Sequence, residues 1–216
     1  LIKPSKNAAG FLQSTINIEH TNMTLKHFIE VVKLTLLISF SHATWAGESQ
    51  TLVDDFNSAS QNNMGFERLF IDDTSAGGKT KTHISVNNGL LSAKGDIVPP
   101  RGQPGWASSV LPLNEFGKQL DASQYQGIVL KVKINQGMLS VSANSSAIDN
   151  FDYHALPVMI KADGQFHTVK LPFKNMKRAW SAQTPLDPKT LNSLSIVAFS
   201  LQQAKFDYQI DEIGFY

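Results

Sequence analysis

The sequence contains no cysteine among its 216 residues. Disulfide frameworks, thiolate metal sites and a cysteine nucleophile are therefore excluded. Charge is sparse too. Only 17% of residues are charged and the net charge is +1, short of the clustered Lys and Arg excess that displaces counterions from nucleic acid. The one basic stretch, "KLPFKNMKRAW", interleaves Lys170, Lys174, Lys177 and Arg178 with Phe173 and Trp180 and reads as a solvated loop. Long apolar runs are missing as well: residues 34–40 fall far below the roughly 20 residues of a transmembrane helix, so no stable membrane span and no nucleic-acid partner are expected. Catalytic signatures are equally scarce. Beyond residue 46 the histidines are His83, His154 and His167, with no H-E-x-x-H and no zinc-ligand spacing. No G-x-S-x-G elbow occurs, and Ser108 and Ser109 of "GWASS" have no base or orienting acid that the sequence can place. No internal repeat and no low-complexity tract is present.

The amino-terminal part has a different texture. From Met23, "MTLKHFIEVVKLTLLISFSHATWA" sets Lys26 and Lys33 ahead of the apolar residues 34–40 and then small residues, the layout of a secretory signal peptide. The expected organisation is an upstream extension outside the mature protein (1–22), a signal peptide (23–46) and a single domain (47–216). An exported, periplasmic or secreted protein follows from this. Residues 1–46 hold four of the 19 basic and two of the 18 acidic side chains, so their removal shifts the net charge from +1 to −1.

Beyond residue 50 the pattern is that of strands. "TLVDDF", "THISVNNGLLSAKGDI", "GIVLKVKINQGMLSVSAN", "YHALPVMI", "FHTVKLPF", "LSIVAFSL" and "FDYQIDEIGFY" are short runs rich in β-branched and aromatic residues, often alternating. The spacing predicts an all-β sandwich with one or two short helical turns. Asn88-Gly89 suits a type I′ hairpin, whose two central residues both need positive φ, and residues 135–137 are read as a second hairpin turn. Asp187 followed by Pro188 reads as an N-cap with proline at the first helical position.

The stretch "DTSAGGKT" closes like a phosphate-binding loop. The first glycine of that motif is replaced by Asp73, however, and the chain continues into a hairpin rather than a long helix, whose amino terminus would supply the positive potential. The loop is therefore read as a polar connector in which Gly77 and Gly78 supply positive φ. Paired carboxylates occur at Asp54-Asp55, Asp72-Asp73 and Asp211-Glu212, but neighbours on a strand face opposite ways. If the first and last strands are adjacent, Asp55 and Asp211 would come together and would suit Ca²⁺, which takes six to eight oxygens. The alternative is local hydrogen bonding at Asp54 or Asp55 and a solvent-facing Asp211. No other cofactor is expected.

In order, "FIDDTSAGGKTKTHISVNNGLLSAKGDI", "GWASSVLPL", "DASQYQGIVLKVK", "GQFHTVKLPFKNM" and "FDYQIDEIGFY" resemble the complex I intermediate-associated protein 30 family over essentially all of residues 52–216. The resemblance implies a galactose-binding-like jelly-roll sandwich and a non-catalytic binding or assembly module. The opening "DDF" and closing "IDEI" are also similar to family 11 carbohydrate-binding modules. Partners implied are accordingly a protein or a carbohydrate, bound by a monomer. Candidate contact residues are Asp72, Asp73, Gly77, Gly78 and Lys79 in the loop, with Trp106, Asp149, Tyr153, His154 and Trp180 as sugar-contacting candidates. Trp106, between Gly105 and Ala107, equally fits a core or rim position.

Overall fold

The computed structural model describes residues 50–216, so the expected upstream extension and signal peptide lie outside the described residues. Eleven strands follow one another: β1 (Thr51–Asp54), β2 (Leu69–Asp72), β3 (Lys81–Asn87), β4 (Leu90–Ile97), β5 (Gly105–Pro112), β6 (Gly127–Gln136), β7 (Met138–Ser145), β8 (His154–Pro157), β9 (His167–Pro172), β10 (Leu191–Ser200) and β11 (Ala204–Phe215). Helical structure among the described residues is limited to three single 3-10 turns, Asp73–Ala76, Phe173–Asn175 and Pro188–Thr190. The last is capped as its sequence predicts, with the Asp187 carboxylate accepting the Lys189 N–H at 3.0 Å. No helix among the described residues is long and apolar enough to cross a membrane.

The strands form two antiparallel sheets of a jelly-roll sandwich. One runs β3-β4-β11-β6-β9 with β1 also on β11; the other runs β2-β5-β10-β7-β8. Alternation decides which side chains face inward. In β6, Ile128, Leu130, Val132 and Ile134 are buried, and in β10 Leu194, Ile196 and Ala198 meet them from the other sheet in one core. The terminal strand β11 pairs with β4 as far as Ile210 and with β1 from Ile213 onward. First and last strands are thus neighbours, as anticipated. A register shift against β6 between Ile210 and Glu212 lets two residues three apart, Ile210 and Ile213, both enter the core, because a bulge inserts one extra residue into the alternation.

Turn chemistry separates two positions that look alike in sequence. Asn88 (φ 52°) and Gly89 (φ 72°) form the tight turn between β3 and β4. Gly137 also has positive φ (89°), but the strands it joins, β6 and β7, belong to different sheets. The expected second hairpin is therefore a corner that carries the chain across the sandwich. A glycine fits there for a second reason, since a Cβ would lie 2.9 Å from the Lys205 carbonyl oxygen.

At the end of β1 the carboxylate of Asp54 is buried and accepts from Arg68 twice, from Nε at 2.6 Å and Nη2 at 2.7 Å, and from the Phe56 N–H at 2.9 Å. Arg68 also donates to the carbonyls of Ser58 and Gln61 at 3.0 and 2.8 Å. Both charges are almost fully shielded from water, so the pair ties the 55–68 segment to the sandwich. Asp55, by contrast, takes Asn57: its carboxylate accepts the Asn57 N–H at 3.1 Å and the Asn57 amide at 2.9 Å. The Asn57 N–H, against a smaller opposing effect of burial, holds the Asp55 carboxyl below its usual range.

Candidate functional site

The outward face of the five-stranded sheet is built by two strands whose alternation is unusual. In β7, Leu139, Val141 and Ala143 point into the core, leaving Met138, Ser140, Ser142 and Asn144 outward. In β10 the inward Leu194, Ile196 and Ala198 leave Ser193, Ser195, Val197 and Phe199 outward, and in β5 the same rule leaves Trp106, Ser108, Val110 and Pro112. Register then aligns these residues in four rows across the sheet: Trp106–Phe199–Met138, Ser108–Val197–Ser140, Val110–Ser195–Ser142 and Pro112–Ser193–Asn144. From first row to last is roughly 20 Å at the rise of a strand. None of the twelve residues is charged.

Within the rows a hydrogen-bonded ladder forms. Ser142 Oγ donates to Asn144 Oδ1 at 2.9 Å, and Asn144 Nδ2 donates to Ser195 Oγ at 2.7 Å and Ser193 Oγ at 2.9 Å. Ser193 in turn donates to Asn192 Oδ1 at 2.9 Å. Ser108, Ser142, Asn144 and Ser195 lie low between larger neighbours, whereas Ser140 and Ser193 are half-buried. The margins stand clear of the surface: Met138 is 55% exposed, and on β2, beside Val110 and Ser108, Leu69 and Ile71 are 53% and 52% exposed. This is a short polar strip between apolar borders, with aromatic rings at one end.

Trp106 closes one end, half-buried beside Phe199. Its backbone is fixed by Asp73, whose Oδ2 accepts the Trp106 N–H at 3.2 Å. Toward the other end, Tyr153 immediately precedes His154, the first residue of β8, which pairs with Ala143 and is buried; Tyr153 itself is half-buried, and partial desolvation raises its hydroxyl pKa.

The remaining sequence candidates are distributed differently from what was expected. His154 is turned inward, away from that face: its Nε2 lies 2.6 Å from the Thr184 carbonyl, and buried Nδ1 has no partner. It braces the 184 loop. Asp73 is not a surface loop residue but fully buried, accepting from Thr80 N at 3.1 Å and Thr80 Oγ1 at 2.8 Å as well as from Trp106. Asp72 caps the 3-10 turn through the Thr74 N–H at 3.1 Å. Gly77 takes the expected positive φ (85°), but Gly78 does not; it is needed because a Cβ would sit 2.2 Å from the Asp73 carboxylate carbon. Lys79 is exposed beside this connection. Asp211 pairs with Lys131 and Asp55 with Asn57; among the described residues no three His, Asp or Glu side chains gather as for a metal ion.

Asp149 and Trp180 sit on two exposed loops, 146–153 and 176–187, beyond β8. The loops are joined by Asp152, which accepts the N–H groups of Ala179 (2.7 Å), Trp180 (3.1 Å) and Ser181 (2.6 Å). Burial pushes the Asp152 carboxyl up, but the Ser181 hydroxyl and these N–H groups outweigh it and hold the pKa below 3.8. A carboxyl with a depressed folded pKa stabilises above its unfolded pKa, and that contribution disappears as pH falls through the folded value. Loop docking is therefore expected to hold through the ordinary carboxylate range and to weaken only as pH falls beneath it. Asp152→Ala is expected to release it at neutral pH. Amide exchange at residues 179–181 reports both, and continued protection in the variant would refute the assignment.

Sequence reading missed Ser142, Asn144, Ser193, Ser195 and Phe199. The signal was present in "MLSVSANS" and at the start of "SLSIVAFS", where Ser140, Ser142, Asn144, Ser193 and Ser195 alternate with apolar residues. Which strands lie side by side was not.

Residues 54–211 match the sequence model of complex I intermediate-associated protein 30. Among solved structures the chain is similar to the family 11 carbohydrate-binding module of cellulosomal cellulase Lic26A-Cel5E of Clostridium thermocellum (17% identity, 77% of this chain and 94% of that chain, TM-score 0.54). It is also similar to a family 11 module from the same organism in complex with a β-1,3-1,4-mixed-linked tetrasaccharide (18% identity, 77% and 94%, TM-score 0.52). At such identities the likeness is one of fold, the galactose-binding-like jelly roll. No curated protein matches the chain significantly.

Proposed function

The chain belongs to the complex I intermediate-associated protein 30 family, and from that premise we propose that it is an exported, non-catalytic binding domain whose outer five-stranded face takes a neutral oligosaccharide. One observation carries this reading. Four register rows bear no charge but present hydroxyl and amide groups across the sheet beside the rings of Trp106 and Phe199. Neutral polyols are recognised by this combination, in which aromatic faces cover the C–H surfaces of a sugar ring and hydroxyl or amide groups fix its orientation. The similarity in fold to a module crystallised with a mixed-linked tetrasaccharide makes that glucan fragment the first probe.

Calorimetric titration of the purified full-length protein with the tetrasaccharide tests the proposal. Binding is expected, and Trp106→Ala is expected to weaken it about tenfold, equivalent to about 1.4 kcal/mol. Undiminished affinity in that variant, or no binding to this or any sugar on a broad glycan array, would sink the reading.

A protein partner is the second reading, favoured by β2. Its far edge pairs with no other strand among the described residues, and Leu69, Phe70 and Ile71 are all exposed on it. Such an unprotected apolar edge suits strand addition by a partner. Phe70→Lys, on the side of β2 away from the candidate sugar face, would then abolish capture of the partner from envelope extracts while leaving sugar titrations unaltered.

A further inference from the structure

We infer that the paired loops 146–153 and 176–187 carry a second aromatic element for pyranose rings, continuous with the sheet face, so that the ligand is an oligosaccharide chain rather than a single sugar. This rests on the reading of the outer face as a carbohydrate site.

The starting point is two exposed rings that the core does not explain. Phe151 is 77% and Trp180 70% exposed. Phe151 also has φ 60°, a left-handed conformation that a bulky side chain rarely adopts. Backbone strain at an exposed aromatic is retained only where the surroundings impose it. Here they do, through residues that directly flank both rings. Asn150, before Phe151, accepts at Oδ1 from Arg178 Nη2 (2.9 Å) and from the Asp152 N–H (3.3 Å), and donates from Nδ2 to Ser181 Oγ (3.0 Å). Asp152, after Phe151, accepts the three consecutive N–H groups of residues 179–181, which bracket Trp180. Arg178 Nε adds a bond to the Asp152 carbonyl at 3.1 Å. Gln183 closes the second loop on itself, donating to the Arg178 carbonyl at 2.8 Å.

The consequence is preorganisation. Both rings are presented on backbone already ordered before any ligand arrives, so less conformational freedom is lost on binding. The chemistry of the surroundings favours a sugar over a lipid surface or an apolar protein face. The residues flanking the two rings bring amide, hydroxyl and guanidinium groups, from Asn150, Ser181 and Arg178, and Asp149 adds an exposed carboxylate on the first loop. Continuity with the sheet is supplied by Tyr153, which meets Phe151 edge to face at 6.3 Å and 87° and immediately precedes β8, the edge strand of that sheet.

The test compares ligand lengths on the full-length protein. Trp180→Ala and Phe151→Gly are titrated with the mixed-linked tetrasaccharide and with the β-1,3- and β-1,4-linked disaccharides of the same sugars. Glycine suits the positive φ at 151, so the melting temperature of Phe151→Gly is expected to hold or rise, which separates lost contact from lost folding. Each variant is expected to lose about fivefold in tetrasaccharide affinity while the disaccharides, held by the sheet face, change less than about twofold. Unchanged tetrasaccharide affinity in both variants, or an equal loss for both lengths, overturns the loop element; if Trp106→Ala still weakens binding in the same titrations, the sheet-face reading survives that failure. Absence of any sugar binding by the unaltered protein removes both. A loss confined to binding of anionic phospholipid vesicles, with sugar affinities unchanged, reassigns the loops to a membrane surface and overturns the inference.

Discussion

Asp54→Ala is expected to destabilise the domain by about 3–5 kcal/mol, the range found when one partner of a buried ion pair is removed and the other is left uncompensated. Arg68 would keep its bonds to the Ser58 and Gln61 carbonyls, but its Nε and half of its Nη2 contacts would face a void with no water to replace the carboxylate. The Phe56 N–H would lose its acceptor too, at a position where Phe56 already holds a left-handed φ of 54°. Urea denaturation measures the difference, and a loss below about 1 kcal/mol would show that water enters the site. The companion variant Asp54→Leu with Arg68→Met, which removes both charges, is expected to recover much of the loss, because the desolvation penalty of the pair disappears with it.

The second large effect concerns the glycine pair of the opening loop. Gly78→Ala is expected to cost about 3 kcal/mol or more, since its methyl group would lie 2.2 Å from the Asp73 carboxylate carbon. Relief requires the carboxylate to leave Thr80 and Trp106, and charged hydrogen bonds of this kind are worth roughly 1.5–3 kcal/mol each. Gly77→Ala meets no atom within 4 Å and is expected to cost only the roughly 1–2 kcal/mol of a left-handed conformation. Thermal melts of the two variants separate the mechanisms. In an Asp73→Ala background the Gly78→Ala penalty is expected to shrink to near zero, a coupling that a double-mutant cycle detects; additive costs would show that the clash is not with Asp73.

These two expectations also mark where sequence reading was accurate and where it failed. Alternation in "GIVLKVKIN" made that run legible as a strand, because the period of a strand is two, and the structure buries its Ile128, Leu130, Val132 and Ile134 together. Asn88-Gly89 announced its turn type by the φ values those residues tolerate. The glycines at 77 and 78, however, look equivalent in sequence, and only the carboxylate seven residues away from Thr80 and 33 away from Trp106 makes one of them a matter of space and the other a matter of backbone. The 135–137 turn failed for a related reason: a glycine with positive φ turns the chain but does not say whether the next strand joins the same sheet.

The binding face shows the same division most sharply. The sequence by itself determined most of the strands, the all-β sandwich class and the Asn88-Gly89 turn, because these follow from local period, turn chemistry and side-chain type, while the jelly roll was what the family resemblance implied. Only the tertiary structure decided that Ser142, Ser195 and Val110 share a row, that His154 and Asp73 are internal braces, and that Phe151 and Trp180 are locked outward together. Most of those relations join residues 27 or more positions apart through strand register or a buried carboxylate, and register is chosen by the whole core packing at once rather than by any single strand.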